Sequence, residues 1–201
     1  VVGKPFLFQI SSLQFSVPSG WRRRRDVTGG GVLIDRGVHM VDVLYNLGGE
    51  VESLWGLTTH RTVLAMEGED TVLALLRYRS GAVGELVVSW GMRNPPRVPW
   101  LIVHGDKGTI FEVPDARWLR QELNPQLNVY STEVAEYAKE GGATIDLPRL
   151  NPFAEEIRHF LDCLATGREP RVTGEVGRKD LEIVLAIYRS AETGEAVKLS
   201  H

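Results

Sequence analysis

Two strand-like runs joined by a two-residue turn constrain the fold of this chain more than any other feature. Residues 71–78 are almost continuously apolar, Ser80-Gly81 is a turn signal, and residues 82–90 follow as a second apolar run. Runs of this kind form a β-hairpin, whose strands are antiparallel. Because the chain carries several more such runs, the sequence predicts a large, mostly antiparallel open sheet with helices on one face, which is an α+β fold.

The other elements are predicted from hydrophobic periodicity and from the positions of Gly and Pro. Further strands are predicted at residues 4–17 (with a bulge at Ser11-Ser12), 51–62, 100–104, 109–113 and 196–199, and helices at residues 32–47, 153–166 and 174–193. The stretch 114–150 carries no clear pattern, and no element is predicted there. The 201 residues contain no repeat and no low-complexity tract, so we predict a single domain over residues 1–201.

Composition excludes several functional classes. Hydrophobic residues make up 43% of the chain and charged residues 24%, with a net charge of −3. This balance is typical of a soluble globular protein, without the basic excess that nucleic acid or an anionic membrane would attract. No apolar run approaches the roughly 20 residues that cross a bilayer. The single cysteine, Cys163, excludes a disulfide framework and a cysteine-rich zinc site, and we expect a cytoplasmic protein.

One face of the predicted helix 32–47 carries groups suited to proton transfer. At about 100° per residue, Asp35, His39 and Asp42 lie within roughly 60° of one another, opposite an aliphatic face. Side chains four residues apart can touch, so we expect Asp35 to accept a hydrogen bond from His39 and to set its tautomer. An imidazole oriented by a carboxylate is a general base. The spacing equally fits a solvated helix face, and it supplies no third metal ligand.

Three glycines, Gly29-Gly30-Gly31, precede this helix. Glycine permits close approach of the backbone, and free amides at a helix N-terminus attract anions. The run is nevertheless no dinucleotide fingerprint, because it lacks the third glycine and follows a loop instead of a strand. We therefore predict no cofactor-binding and no metal-binding residues in this chain.

The segment Gly-Gly-Gly-x-Leu-x-Asp-x-Gly-x-His-x-x-Asp, at residues 29–42 after Trp21-Arg22, resembles the signature of the Gfo/Idh/MocA oxidoreductase family. The opening Val2-Gly3-Lys4-Pro5 and the hairpin at residues 105–110 resemble the same family. Its tail pattern is also present, at Phe153, Glu156, Phe160, Gly167, Pro170, Gly174, Ala186, Ser190, Gly194 and Val197. The resemblance thus covers nearly the whole chain.

This resemblance implies a fold and an activity. Family members are NAD(P)-dependent dehydrogenases of sugars, inositol and related compounds, with an N-terminal Rossmann domain and a C-terminal α/β domain of dihydrodipicolinate-reductase type. The chain resembles only the C-terminal domain, and it begins without Met. We therefore expect the NAD or NADP site, with its Gly-rich loop and its Glu-Lys-Pro lysine, to lie in an N-terminal domain outside this chain. The chain alone is then expected to be inactive.

The resemblance also implies roles for individual residues. Asp35 and His39 match the acid/base pair of the family, in which His39 would take a proton from a substrate hydroxyl while hydride leaves for the nicotinamide. Asp35 would hold the imidazole. Trp21, Arg22 and Asp42 are expected to contact a substrate that resembles a sugar or polyol.

The family's open sheet face commonly packs against another protomer, so we expect a homodimer or a higher homo-oligomer. Candidate residues for that face are Val72, Ala74 and Leu76 together with Val83, Glu85 and Val87, although all would serve equally well in a core. Two other interpretations stay open. One is a sensor or regulatory subunit that keeps the fold without the chemistry, and the other is a stand-alone oligomerisation module.

Overall fold

A nine-stranded sheet dominates the computed structural model, which describes residues 1–113 and 125–199. The strands are β1 (Pro5–Leu13), β2 (Val51–Thr59), β3 (Thr71–Tyr78), β4 (Val83–Ser89), β5 (Leu101–Gly105), β6 (Gly108–Glu112), β7 (Gln126–Ser131), β8 (Ala143–Asp146) and β9 (Val197–Lys198). Among these described residues, three helices exceed ten residues: α1 (Val38–Gly48), α2 (Pro152–Thr166) and α3 (Gly174–Thr193). The α+β fold and both hairpins are confirmed. Strands β7 and β8 occupy a stretch for which no element was predicted.

The order of strands across the sheet is β8-β7-β6-β5-β1-β4-β3-β2-β9. Every described pair is antiparallel except β1 and β4, which are parallel, with Ile10 opposite Leu86. A hairpin cannot join parallel neighbours, so the chain needs a longer connection between them. That connection runs through α1, β2 and β3 and places α1 against the sheet beside β1 and β4.

The bulge predicted at Ser11-Ser12 is wrong. Both residues keep a regular register against Val87 and Val88 of β4, and the irregularity of β1 lies instead between Pro5 and Leu7. Ser12 is a buried polar residue on the inward face of β1, and its hydroxyl accepts a hydrogen bond from Arg36 Nε at 2.5 Å. An inward polar side chain, satisfied from the neighbouring helical segment, therefore breaks the apolar alternation that suggested a bulge.

The core lies between one face of the sheet and the helices α1 and α3. Val72, Ala74 and Leu76 of β3 are buried there together with Val41 and Leu44 of α1. Alternate residues of a strand point to opposite faces. The three β3 residues offered as an oligomer surface therefore belong to the core, which corrects that half of the expectation.

The opposite face of the sheet is open and partly apolar. Leu73 and Leu75 of β3 are 46% and 56% exposed, and they lie opposite Leu57 and Trp55 of β2. Val87 of β4 extends the row from Leu73. We call Trp55, Leu57, Leu73, Leu75 and Val87 the open-face patch.

The two C-terminal helices differ in how much of their surface they bury. Helix α3 buries Ile183, Val184 and Ile187, and it comes so close to β2 that a Cβ at Gly56 would lie 2.8 Å from Ile187 Cγ2. Leu181 and Leu185 of the same helix are exposed. Helix α2 buries only Cys163. Its large apolar side chains are exposed, at Phe153, Ile157, Phe160, Leu161 and Leu164.

The loop between β2 and β3 is organised by one buried carboxylate. Oδ2 of Asp70 accepts hydrogen bonds from the backbone N–H groups of Arg61, Thr62 and Val63, at 2.9, 2.6 and 2.9 Å, while Oδ1 accepts one from the Thr71 hydroxyl. Burial alone would raise the pKa of Asp70, but these donors outweigh it and lower the pKa below its ordinary value. Ionised Asp70 therefore stabilises the loop.

We expect Asp70→Asn to lower the free energy of unfolding at pH 7 by about 2 kcal/mol, because an amide cannot replace a charged acceptor of three N–H groups. The native contribution exists above about pH 4 and is lost as the pH falls through the lowered pKa of Asp70. Urea unfolding measures the free energy of unfolding of the unsubstituted protein and of the variant at pH 7 and at pH 3. The exposed Asp106→Asn is the control, and equal losses from the two substitutions at pH 7 would contradict the prediction.

Candidate active site

Trp21, Arg22 and Asp35 come together beside the segment that leads into α1. Trp21 and Arg22 lie in a single helical turn at Gly20–Arg23, where the guanidinium of Arg22 lies 5.5 Å from the centre of the Trp21 ring. Arg22 Nε is 3.2 Å from Asp35 Oδ2, which forms an ion pair. Both Trp21 and Arg22 are exposed, so this cluster faces solvent.

Asp35 does not lie on a regular α-helix. Residues Leu33–Gly37 form a π-helical turn, in which the N–H of Val38 donates to the carbonyl of Leu33, and α1 begins only at Val38. A π turn holds one residue more than an α-helical turn, and such turns are frequent at functional sites. The continuous helix predicted from residue 32 is therefore interrupted at Asp35.

The interruption changes how Asp35 relates to His39. Within residues 1–113 and 125–199, His39 takes part in no hydrogen bond or ion pair, and its side chain is exposed near the start of α1. The hydrogen bond that regular α-helical spacing predicts between these residues is thus not formed. Asp35 pairs with Arg22 instead, through Oδ2, and its Oδ1 has no hydrogen-bond partner within the described part of the chain.

The amides in front of the π turn are occupied by Glu69. Its Oε2 accepts the N–H of Gly31 and its Oε1 the N–H of Leu33, each at 2.9 Å. The main-chain oxygen of Glu69 accepts the N–H of Val32, also at 2.9 Å. The carboxylate thus takes the place at the helix start where an anion could bind. The anion site suggested by the glycine run is not available.

The glycines themselves are explained by close packing. A Cβ at Gly31 would lie 2.0 Å from the Glu69 carbonyl oxygen, and one at Gly30 would lie 2.1 Å from the Tyr188 hydroxyl. That hydroxyl also donates to Glu69 Oε1 at 2.8 Å. Sequence analysis missed Glu69 and Tyr188, which lie on the loop before β3 and on α3. The acidic Glu67-Gly68-Glu69-Asp70 tract was the available signal, because adjacent carboxylates before a buried strand need donors.

Asp42 faces α3. Its Oδ1 accepts a hydrogen bond from Asn46 at 2.9 Å, and its neighbour across the helix interface is Asp180, which is 4% exposed. Burial, followed by the charge and hydrogen bonding of Asp42, raises the pKa of Asp180 to about 6. Oδ1 of Asp180 is buried with no hydrogen-bond partner among the described residues. Structurally, Asp42 therefore belongs to the interface of α1 and α3.

The arrangement can bind and move a proton. His39 offers an exposed imidazole, and the Asp35–Arg22 pair lies on the adjoining turn with one carboxylate oxygen open. No group of three or more His, Cys, Asp or Glu side chains in the described part of the chain is suited to hold a metal ion. No helix of that part is long and apolar enough to cross a membrane.

Asp180→Asn is expected to stabilise the protein at pH 8. Because the fold holds the pKa of Asp180 above its ordinary value, ionised Asp180 costs folding free energy at neutral and alkaline pH. This cost shrinks as the pH falls through the raised pKa and is gone only below the ordinary aspartate pKa of about 4. Thermal unfolding should show a gain of about 1–2 kcal/mol at pH 8 and little change at pH 3.5. The exposed Asp162→Asn serves as control. A loss of stability in Asp180→Asn at pH 8 would refute this assignment.

Comparison with known proteins assigns the chain to a family. The family described as "Oxidoreductase family, C-terminal alpha/beta domain", Gfo/Idh/MocA, matches residues 1–199. D-apiose dehydrogenase of Paraburkholderia graminis is 30% identical over 174 residues, which cover 84% of this chain and 44% of that enzyme. D-xylose 1-dehydrogenase (NADP(+)) 2 of Haloferax volcanii is 30% identical over 196 residues, which cover 94% of this chain and 55% of the enzyme.

A solved structure agrees with these relatives. The aldose-aldose oxidoreductase of Caulobacter crescentus, solved with glycerol, aligns with a TM-score of 0.77 and 26% identity over 98% of this chain and 56% of that one. The chain therefore spans about half the length of the relatives it matches. From the match over residues 1–199, the chain belongs to the Gfo/Idh/MocA oxidoreductase family and corresponds to its C-terminal α/β domain.

Proposed function

We propose that this chain is the substrate-binding and oligomerisation domain of an NAD(P)-dependent oxidoreductase that acts at a CH–OH group of a sugar or polyol. The observation that carries the proposal is the exposed, unengaged imidazole of His39 one turn from the Asp35–Arg22 ion pair, in a chain that matches this family over residues 1–199. The two curated relatives above are named as dehydrogenases of aldoses, which supports a sugar-like substrate.

His39 is the proposed base. A neutral imidazole at this position takes the proton of a substrate hydroxyl, and the same group returns a proton in the reverse direction. Asp35 is the proposed partner carboxylate, whose open oxygen accepts the imidazole N–H once the ring turns toward it. That hydrogen bond favours the imidazolium formed during the reaction.

Arg22 and Trp21 are the proposed substrate contacts. The guanidinium is a rigid donor that binds hydroxyl or carboxylate oxygens, and its ion pair with Asp35 keeps it beside the acid/base groups. The Trp21 ring is 60% exposed and offers an apolar surface with a polar N–H edge. A role for Asp42 in substrate binding stays a prediction, because its carboxylate is engaged by Asn46 and Asp180.

The cofactor requires another domain. A nicotinamide cofactor supplies hydride transfer when bound, but the helix start after Gly29-Gly30-Gly31 does not fit a pyrophosphate, because Glu69 already accepts the N–H groups of Gly31 and Leu33. We propose that a nucleotide-binding domain supplies the NAD or NADP site. The chain's own contribution is proton transfer and substrate binding.

His39→Asn should lower kcat by about 10²- to 10⁴-fold in the enzyme expressed from its complete reading frame, because asparagine keeps a polar side chain without a basic nitrogen. The assay follows reduced nicotinamide with a panel of aldoses and polyols and with both NAD and NADP. Because the His39 side chain is exposed and forms no hydrogen bond or ion pair with any described residue, the melting temperature of the variant should equal that of the unsubstituted enzyme.

His159→Asn is the matched control, since His159 lies on α2, where its Nε2 accepts the Arg171 N–H at 3.1 Å and lies 3.7 Å from Cys163 Sγ. Turnover in His39→Asn equal to that of the control would reject His39 as the base. It would also favour the sensor or regulatory interpretation.

We further propose that the open-face patch joins two copies of this chain. Trp55, Leu75, Leu57 and Leu73 form two adjacent cross-strand pairs, and an exposed apolar row of this kind marks an interaction surface. The glutamate Glu85 lies opposite Leu75 at its margin. The same observation supports the alternative hypothesis of a stand-alone oligomerisation module, in which His39 has no catalytic role.

Leu75→Glu is expected to convert the oligomer to monomers, because it buries a charge in the centre of the proposed interface. Sedimentation equilibrium measures the mass of each variant. Leu64→Glu is the control, since Leu64 is 75% exposed and lies outside the sheet. An unchanged mass for Leu75→Glu would exclude the open-face patch as the interface.

A further inference from the structure

Glu69 connects the acid/base segment to the rest of the molecule, and it is not among the residues proposed above to bind substrate or to transfer a proton. It accepts three successive amides, Gly31 and Leu33 through its side chain and Val32 through its main-chain oxygen, each at 2.9 Å. Tyr188 of α3 donates its hydroxyl to the same carboxylate at 2.8 Å. The start of the segment is therefore fixed from two separate elements.

The far end of the segment is fixed independently. Val41 and Leu44 of α1 are fully buried in the core, so the helix cannot rotate without opening a cavity. Between the two fixed ends the chain forms the π turn, in which Val38 N–H donates to Leu33 O, five residues back. Gly37 lies buried within it, and a Cβ there would meet Leu33 Cδ1 at 2.8 Å. Because both ends are fixed, the segment between them holds one residue more than regular α-helical winding allows, and the π turn accommodates this extra residue.

We propose that Glu69 is a positioning residue of the acid/base site. By clamping amides 31–33 it holds the π turn, and the π turn fixes where Asp35 stands relative to His39 and Arg22. This inference rests on the proposed function, because the positioned pair matters for catalysis only if His39 is the base.

Release of the clamp has a defined structural consequence. With the amides of residues 31–33 free, the segment can rewind as an α-helix continuous with α1. An α-helical turn holds one residue fewer than the π turn. Rewinding therefore rotates Asp35 by about 100° around the helix axis and takes it away from Arg22. Misplacement of a catalytic group by about 1 Å costs up to about a hundredfold in rate.

The first test uses the 201-residue chain and requires no activity. Glu69→Gln keeps the size of the side chain but replaces one acceptor oxygen with a donor group. Amide hydrogen exchange is expected to accelerate about tenfold or more at Gly31 and Leu33, and also at Val38, whose hydrogen bond closes the π turn. Glu67→Gln is the matched control, because Glu67 accepts the Arg25 N–H at 2.9 Å from the same loop but does not contact the π turn.

The second test uses the active enzyme with its nucleotide-binding domain. Glu69→Gln should lower kcat by about tenfold to a hundredfold, with a smaller rise in KM, since Arg22 loses only its ion pair with Asp35 and Trp21 keeps its place. Glu69→Asp, which keeps both acceptor oxygens on a shorter side chain, should recover part of the lost kcat. Glu67→Gln should leave both parameters unchanged.

The outcomes separate the two proposals. If His39→Asn lowers turnover while Glu69→Gln matches Glu67→Gln in kcat and in exchange at Val38, the positioning role is overturned and the proposed function stands. If His39→Asn has no effect, the proposed function fails. Should Glu69→Gln not fold, Tyr188→Phe replaces it, because it removes one anchor of the carboxylate and should produce the same changes at smaller amplitude. No change at Val38 in Tyr188→Phe then overturns the inference.

Discussion

Two adjacent carboxylates on the loop before β3 hold the domain and its candidate site together. Asp70 collects the N–H groups of residues 61–63, and Glu69 collects those of Gly31 and Leu33. Removing a carboxylate from water is costly unless donors surround it, and Asp70 is buried while Glu69 is half-buried. Each side chain therefore imposes a shape on the backbone that supplies its donors. Asp70 shapes its own loop, while Glu69 shapes the segment at residues 31–33, almost 40 residues earlier in the chain. The geometry around Asp35 therefore depends on the loop as much as on its own helix.

The polar face of α1 is divided between two roles. His39 is exposed and engaged by no described residue, whereas Asp42 is directed toward α3 and shares its environment with the buried Asp180. The sequence does not distinguish His39 from Asp42, since both lie on the same side of an ideal helix. The structure separates them because the neighbouring helix α3 covers one part of that side and leaves the other part open.

Much of the architecture could be predicted from local signals. The hairpin between β3 and β4 follows from Ser80-Gly81, and the positions of α1, α2 and α3 follow from apolar spacing with Gly at their ends. The parallel pair of β1 and β4 could not be predicted, because strand order depends on contacts between distant residues. The π turn was missed for a similar reason. Its cause is Glu69, which periodicity around Asp35 cannot reveal.

The residues brought together at the candidate site were predictable only in part. Trp21, Arg22 and Asp35 are near neighbours in sequence, and they are neighbours in space. The direct contact between Asp35 and His39 was an inference from regular winding, and it fails where the winding changes. Gly30 and Gly31 were singled out for their backbone amides, yet they are required for the space that Glu69 and Tyr188 occupy.

The central position of β1 also determines how the domain can fold. β1 is the first strand of the chain, but its partners come much later, with Leu7 opposite Val83 and Ile10 opposite Leu101. Loops of this length must close before either edge of β1 gains hydrogen bonds, and domains rich in such distant pairings fold slowly. During synthesis on the ribosome, β1 therefore emerges with both edges unpaired and waits for β4 and β5.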